Sequence, residues 1–388
     1  MVTAAGELVF IPDRGFMPAR ARGTRANVIV ERDGMTFTGA VVPDRDGVRV
    51  IFTVRGVQTE LVAGPYGFTS IDARATVADD RGRVLPNRPR WQTGAVLRFE
   101  DAPTLHWTLI LEPPEPDARH LLLTFDGPAG EWNVVLPLDD EIEHIGVPTR
   151  SLAVTDHQLG ITLACRAVAR SDALTAIELE AYLDPPSVGE GWARSYVLGI
   201  GASMGGGRLC GDQVVLRDDS GTIHFERGRS IAEPTGGKQR EAVLFPAIPS
   251  TARTATIEID LVWVHEGTEA GVTIPVPGDT QVTLAGCTSR VAVTRIAPRE
   301  GAFPHVAGGP VRSAIHVETI PLEADADRQL VYVPPAENTR VGMTVSHCVG
   351  QLPTVEIPET TEELSAITVR GGTVQLRGRW RLRIPLAA

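Results

Sequence analysis

The residues best placed by type and spacing to do chemistry are Gly201-Ala202-Ser203-Met204-Gly205, a G-x-S-x-G run entered from the strand-like segment YVLGI. A serine in this pattern is a nucleophile when a sharp strand-to-helix turn exposes its hydroxyl and a histidine, oriented by an acid, takes its proton. Asp212, His224 and His265 are the nearby candidates for those roles. The turn must be followed by a helix, and here GGRLCGDQVVLRD follows, glycine-rich and then strand-like. The run therefore reads as a glycine loop between strands. A serine hydrolase centred on Ser203 ranks last among the functions considered, no residue is assigned a catalytic role, and the chain is expected not to be an enzyme.

Other chemistry is weaker still. The nine histidines are scattered, with no pair at the two- or four-residue spacing that metal sites on strands or helices use. The pairs Asp79/Asp80, Asp139/Asp140 and Asp218/Asp219 could attract calcium, but no EF-hand loop is present and D-D-x-G turns account for two of them. No metal and no cofactor is expected. Gly205–Gly207 lacks the Lys-Ser/Thr and helix of a phosphate cradle. Trp192 and Tyr196, in GEGWARSYVLG, form the aromatic pair beside a flexible region that could stack on a sugar or peptide, and they are the candidate binding residues. Cys165, Cys210, Cys287 and Cys348 are too far apart for a zinc knuckle. They read either as four buried thiols or as the bridges Cys165/Cys210 and Cys287/Cys348.

The elements that must position these residues are strands. Val48, Val50, Phe52 and Val54 alternate with Arg49, Ile51, Thr53 and Arg55. Ile257, Ile259, Leu261 and Trp263 do the same, as do Trp380, Leu382, Ile384 and Leu386. Period-2 patterns with one apolar face are those of antiparallel strands. With 39 glycines and 29 prolines in 388 residues, long helices are disfavoured; the best helical candidate is the short ETTEELSAI from Glu359. No uncharged apolar stretch is long enough to cross a membrane as a helix, and the amino terminus lacks a signal-peptide pattern. The net charge of −11 argues against a nucleic-acid partner.

The chain also repeats itself. Gly34-Met35-Thr36-Phe37 is matched by Gly160-Ile161-Thr162-Leu163, and the D-D-x-G turn at Asp79 by that at Asp218. A hydrophobic-Pro-hydrophobic motif recurs at Leu136-Pro137-Leu138, Ile274-Pro275-Val276 and Ile384-Pro385-Leu386. Trp132 and Trp380 precede the first and third copies at one distance, while Ala270 takes that place in the second. The segment AIHVETI from Ala314 echoes AIELEAY from Ala176. Repeats of this size suit immunoglobulin-like sandwiches of about seven strands. The expected fold is all-β, as tandem immunoglobulin-like antiparallel sandwiches. Residues 1–25 are a lead-in, 26–139 the first sandwich, 150–279 the second and 280–388 the third, with DDEIEHIGVPTR from Asp139 as an exposed acidic linker. On this scheme Pro275 closes the second module, since Asp79 to Pro137 and Asp218 to Pro275 are nearly equal spans.

The lead-in LVFIPDRGF, the E-x-D-G-M-T-F strand from Glu31, VRVIFTVRG from Val48, the D-D-x-G hairpin, and LFPAIPSTARTATIEIDLVWV followed by GVTIPV resemble the extracytoplasmic part of bacterial transmembrane anti-sigma factors. The resemblance spans most of residues 5–279 and implies β-sandwich domains outside the cytoplasm, attached to the membrane only through an anchor that this sequence does not contain. The zinc-binding helical domain that holds the sigma factor in those proteins has no counterpart here, so sigma binding does not carry over. What the resemblance implies is a modular envelope protein acting as a sensory, spacer or binding ectodomain with a protein or glycan partner. An adhesin-like carbohydrate- or protein-binding module is the alternative.

Overall fold

The computed structural model describes residues 7–57, 68–71, 75–86, 95–99, 103–127, 130–187, 194–201, 214–235, 237–284, 286–297, 313–322, 327–332, 344–346, 354–359 and 364–386. The chain is all-β, and its paired strands run antiparallel with no helix among the described residues. The short helical candidate at Glu359 falls mostly outside them: Thr360–Glu363 are not described, and Ala366 already begins a strand. Two compact units are formed, residues 1–11 with 16–146, and 12–15 with 147–388.

In the first unit a larger sheet has the order Val28–Arg32, Met35–Asp44, Gly47–Arg55, Pro103–Leu111, Ala95–Phe99, Phe68–Ile71. A smaller sheet has His120–Gly127 between Gly130–Pro137 and Ala75–Asp79. The alternation read from sequence is realised: Val48, Val50, Phe52 and Val54 are buried and Ile51 and Arg55 exposed. Phe37, Phe52, Trp107, Phe125 and Trp132 meet in the core, with Phe52 stacked on Trp107 at 4.7 Å between ring centres. The first hairpin turns on Asp33 and Gly34, both at positive φ, as a two-residue turn between twisted strands requires. Leu159 and Gly160 repeat this turn in the second unit.

The lead-in and the acidic segment are not loose. Arg20–Gly23 pairs with Asp139–Glu143, placing Arg20 opposite Glu143. Asp139 Oδ2 also accepts the Arg25 N–H at 2.8 Å. What was expected to be an exposed linker is thus a strand at its start, because its backbone pairs with that of Arg20–Gly23.

The second unit holds two sheets of one plan. One contains Val147–Gln158, Ile161–Arg170, Leu174–Leu183, Lys238–Pro246 and Gly228–Thr235 in that order. The other runs Gly278–Leu284, Cys287–Ile296, Ser313–Pro321, Thr354–Glu359, Thr344–Ser346. The echoing segments at Ala176 and Ala314 both lie on the third strand of their sheet. Facing these is a single sheet in the order Ile223–Phe225, Val215–Asp218, Thr254–Pro275, Ala366–Pro385, Arg328–Tyr332.

The two long strands of that sheet explain the three proline motifs. In the first unit Pro137 pairs with His120, and Leu138 N–H donates to the Arg119 carbonyl at 2.8 Å. The equivalent of Arg119-His120 in the second unit is Arg253-Thr254, and it is Pro385 that pairs with Thr254 while Leu386 N–H reaches Arg253 O at 2.7 Å. Pro275 instead pairs with Ala366, and Val276 N–H donates to Ser365 O at 2.9 Å. Residues 150–279 and 280–388 therefore exchange their closing strands and share one sheet. Trp380, opposite Ile259, sits where Trp132 sits opposite Phe125, and both indoles are buried. The near-equal spans to Pro137 and Pro275 were a coincidence of spacing. Ladder register, decided by which apolar face meets the core, assigns Pro385 to that position.

One alternation breaks. Along Thr254–Pro275 the register slips between Ile259 and Leu261, so Val262 and Val264 become buried and Trp263 turns partly outward. An extra residue inserted in one strand reverses every later side chain.

The D-D-x-G turns superimpose in their bonding. Asp79 Oδ1 accepts Arg81 and Arg83 N–H, and Asp218 Oδ1 accepts Ser220 and Thr222 N–H, with Gly82 and Gly221 at positive φ. The second aspartates, Asp80 and Asp219, each take the N–H of the residue before the neighbouring strand, Arg119 and Arg253, at 2.9 Å. Asp218 also meets His224 Nε2 at 2.9 Å. Burial would raise its carboxyl, but the bonds from Ser220, His224 and Thr222 outweigh this and lower it to about 2 from 3.8. A depressed folded-state value stabilises the protein above about pH 4 and is lost as the pH falls toward 2. Asp218→Asn is accordingly expected to cost about 1–3 kcal/mol at neutral pH and to flatten the acid limb of stability between pH 4 and 2; urea melts across that range check both.

Candidate functional site

The strand Tyr196–Ile200 is described as far as Gly201, and Ser203, Met204 and Asp212 lie outside the described residues. The end of this strand is held unusually firmly. Ile200 N–H donates to Glu241 Oε1 at 3.0 Å, and Arg229 Nη1 donates to the Ile200 carbonyl. Arg229 Nη1 also contacts Glu241 Oε2 at 2.6 Å, and its Nη2 contacts Glu226. Glu241 is completely buried, on the core-facing side of its strand opposite Leu179. Burial pushes its carboxyl up despite Arg229, while the two carboxylates push the guanidinium of Arg229 further up. Arginine does not release its proton in proteins, so Glu241 faces a permanent positive charge that opposes the effect of its burial.

The histidines offered as partners for Ser203 are engaged elsewhere. His224 meets Asp218, and His265 stacks on Tyr196 with ring centres 5.0 Å apart. Tyr196 is half-buried, and burial pushes its hydroxyl up to about 12. The other candidate binding residue, Trp192, lies outside the described residues. Cys165 and Cys287 are buried. The Cys165 thiol donates weakly to Ala167 O and is raised to about 12 by burial, so it is not nucleophilic; Cys210 and Cys348 are outside the described residues.

A concave feature does open close to Tyr196. It is a small cleft, open to solvent, lined by Tyr182, Leu183, Pro186, Ser187, Arg194, Ser195, Gly237 and Lys238. Ser187 Oγ accepts the Ser195 N–H at 2.9 Å, tying the two sides of the cleft together. Ser195 Oγ donates to Glu266 Oε2 at 3.0 Å and accepts Gly267 N–H at 3.1 Å. Gly237 has φ +82°, and a β-carbon there would come within 3.0 Å of an Arg194 guanidinium nitrogen. Glycine therefore lets that guanidinium lie against the backbone beside Lys238.

Behind the cleft the outward side of the sheet is charged. Glu180, almost wholly buried, receives Arg166 Nη2 at 2.6 Å and Arg240 Nε at 2.8 Å, with Lys238 Nζ at 3.5 Å. Burial alone would raise Glu180, but the bonds from Arg166 and Arg240 bring it down to about 2. The Lys238 ammonium also sits 5.0 Å over the Tyr182 ring. Tyr196 follows the cleft residue Ser195 but does not itself line the cleft, and sequence reasoning did not single out Tyr182, Arg194 or Lys238. One signal was available: Lys238 is the only lysine among 37 basic residues.

Among the described residues no group of three or more His, Cys, Asp or Glu side chains converges as a metal site would, and no helix is long and apolar enough to cross a membrane. No protein-family model matches the chain, and no curated protein does. Among solved structures it aligns with the crystal structure of the conserved domain protein from Bacillus anthracis, at 11% identity over 83% of this chain and 96% of that one, with a TM-score of 0.29.

Proposed function

We propose that this chain is a non-enzymatic, modular protein serving as a sensory, spacer or binding ectodomain at the bacterial cell envelope. The supporting observation is the recurrence of one plan: three sheets begun by two hairpins, and three hydrophobic-Pro strands that close the sheets facing them. In this reading the modules are immunoglobulin-like sandwiches. The second and third are fused through exchanged strands into one stiff element. Interlocking of this kind suits a part that holds a surface away from an anchor. The shifted titratable groups are consumed by internal bonds, as in Glu180 with Arg166 and Arg240, which suits scaffold rather than catalyst.

Two measurements test the reading together. Protease added to intact spheroplasts is expected to digest the chain, and a fluorophosphonate probe is expected to leave Ser203 unlabelled. Protection from the protease until lysis would remove the envelope assignment. Labelling abolished by Ser203→Ala would replace it with the hydrolase. Binding of a glycan or protein is the second reading, and the cleft at Tyr182 and Lys238 favours it.

A further inference from the structure

We propose that the cleft between Leu183–Ser187, Arg194–Ser195 and Gly237–Lys238 is a subsite for a carboxylate-bearing sugar, such as a uronic acid residue. This rests on the binding reading and adds the ligand's chemistry to it. The donors that line the cleft are an ammonium, a guanidinium and a hydroxyl: Lys238, Arg194 and Ser187. Ser187 Oγ already accepts the Ser195 N–H, so its own hydrogen is left to donate. Among the described residues, the acids near the cleft are engaged elsewhere. Glu180 is matched by Arg166 and Arg240 at shorter range than by Lys238, leaving the lysine as surplus positive charge. Glu266 is bonded to Ser195 Oγ, and Asp184 leans toward Thr162 at 3.5 Å and His157 at 3.9 Å.

A guanidinium and an ammonium at one end select a carboxylate, by charge and by the fork geometry of arginine. Tyr182, Leu183 and Pro186 supply an apolar wall suited to the C–H face of a sugar ring. The cleft is short and open, on the scale of one ring rather than a folded partner. Gly237 leaves room for the Arg194 guanidinium, since a β-carbon there would come within 3.0 Å of its nitrogen and its φ of +82° favours glycine.

The test titrates the intact chain, by calorimetry or ligand-observed NMR, with methyl glucuronide, methyl glucoside and an acetylated oligoglutamate. The glucuronide is expected to bind at about millimolar strength and the glucoside about tenfold more weakly or not at all. Arg194→Gln and Lys238→Met should each weaken the glucuronide about tenfold, and high salt should weaken it too. Arg194→Gln leaves the Glu180 network intact, so its loss of binding is read without a folding penalty; a thermal melt confirms this for each variant. Equal binding of glucoside and glucuronide would overturn the charge selection while leaving glycan binding standing. Tight binding of the oligoglutamate alone would overturn the sugar and make the site one for acidic peptides. If none of the three binds, the subsite is wrong and the binding reading loses its support.

Discussion

Dividing the chain between residues 279 and 280 is expected to leave neither half of the second unit folded. Expressed separately, residues 147–279 and 280–388 should be insoluble or lack a cooperative melt; co-expressed, they should purify together with the secondary structure of the intact unit. The reason is the ladder between Thr254–Pro275 and Ala366–Pro385, whose outer ends are pinned by Leu386 to Arg253 and Val276 to Ser365. The cut strips Trp380, Leu382 and Ile384 from Ile257 and Ile259, and Ile367 and Val369 from Ile274, all of them buried. Full burial of each such side chain contributes about 1.5–3 kcal/mol, so losing half the partners of these residues is comparable to the roughly 5–15 kcal/mol that stabilises a typical domain. A cooperative melt from residues 280–388 alone would refute the exchange of closing strands.

Removing Arg229 is the point substitution expected to cost most. Arg229→Met leaves the buried Glu241 carboxyl with only the Ile200 N–H as partner, so its charge is either stranded in the core or removed by taking up a proton, and it takes the donor from the Ile200 carbonyl. Breaking one partner of a buried ion pair typically costs about 3–5 kcal/mol. The double variant Arg229→Met/Glu241→Met removes the buried carboxyl as well and should recover much of the loss, because desolvation of both ions is then avoided. Urea denaturation of wild type, both single variants and the double variant measures the coupling. If Arg229→Met lies within about 1 kcal/mol of wild type, the pair does not hold the end of the Tyr196–Ile200 strand.

The carboxylate of Glu241 shows where sequence reading stops. Its strand, KQREAVLFP, carries glutamate at a core-facing position, and nothing local announces that Arg229 from the neighbouring strand will face it. Trp263 is a similar case. Its alternation with Ile257 and Ile259 holds on paper and fails at the register slip near Asp260, which depends on the partner strand rather than on the residues themselves. The cleft residues Tyr182, Arg194 and Lys238 come from three separated segments and share no motif.

The sequence by itself determined the alternating strands, the D-D-x-G turns, and the equivalence of Trp132 and Trp380. These follow from local rules: side chains alternate across a strand, positive φ needs particular residues, and an aspartate can bond the backbone two to four residues on. Only the tertiary structure decided which proline strand closes which module, which acids are buried against arginines, and where a cleft opens. Those depend on pairing between segments far apart in the chain. Near-identical repeats such as Ile274-Pro275-Val276 and Ile384-Pro385-Leu386 satisfy the same local rules in either arrangement, and the choice between them is made by the packing of whole faces against a core.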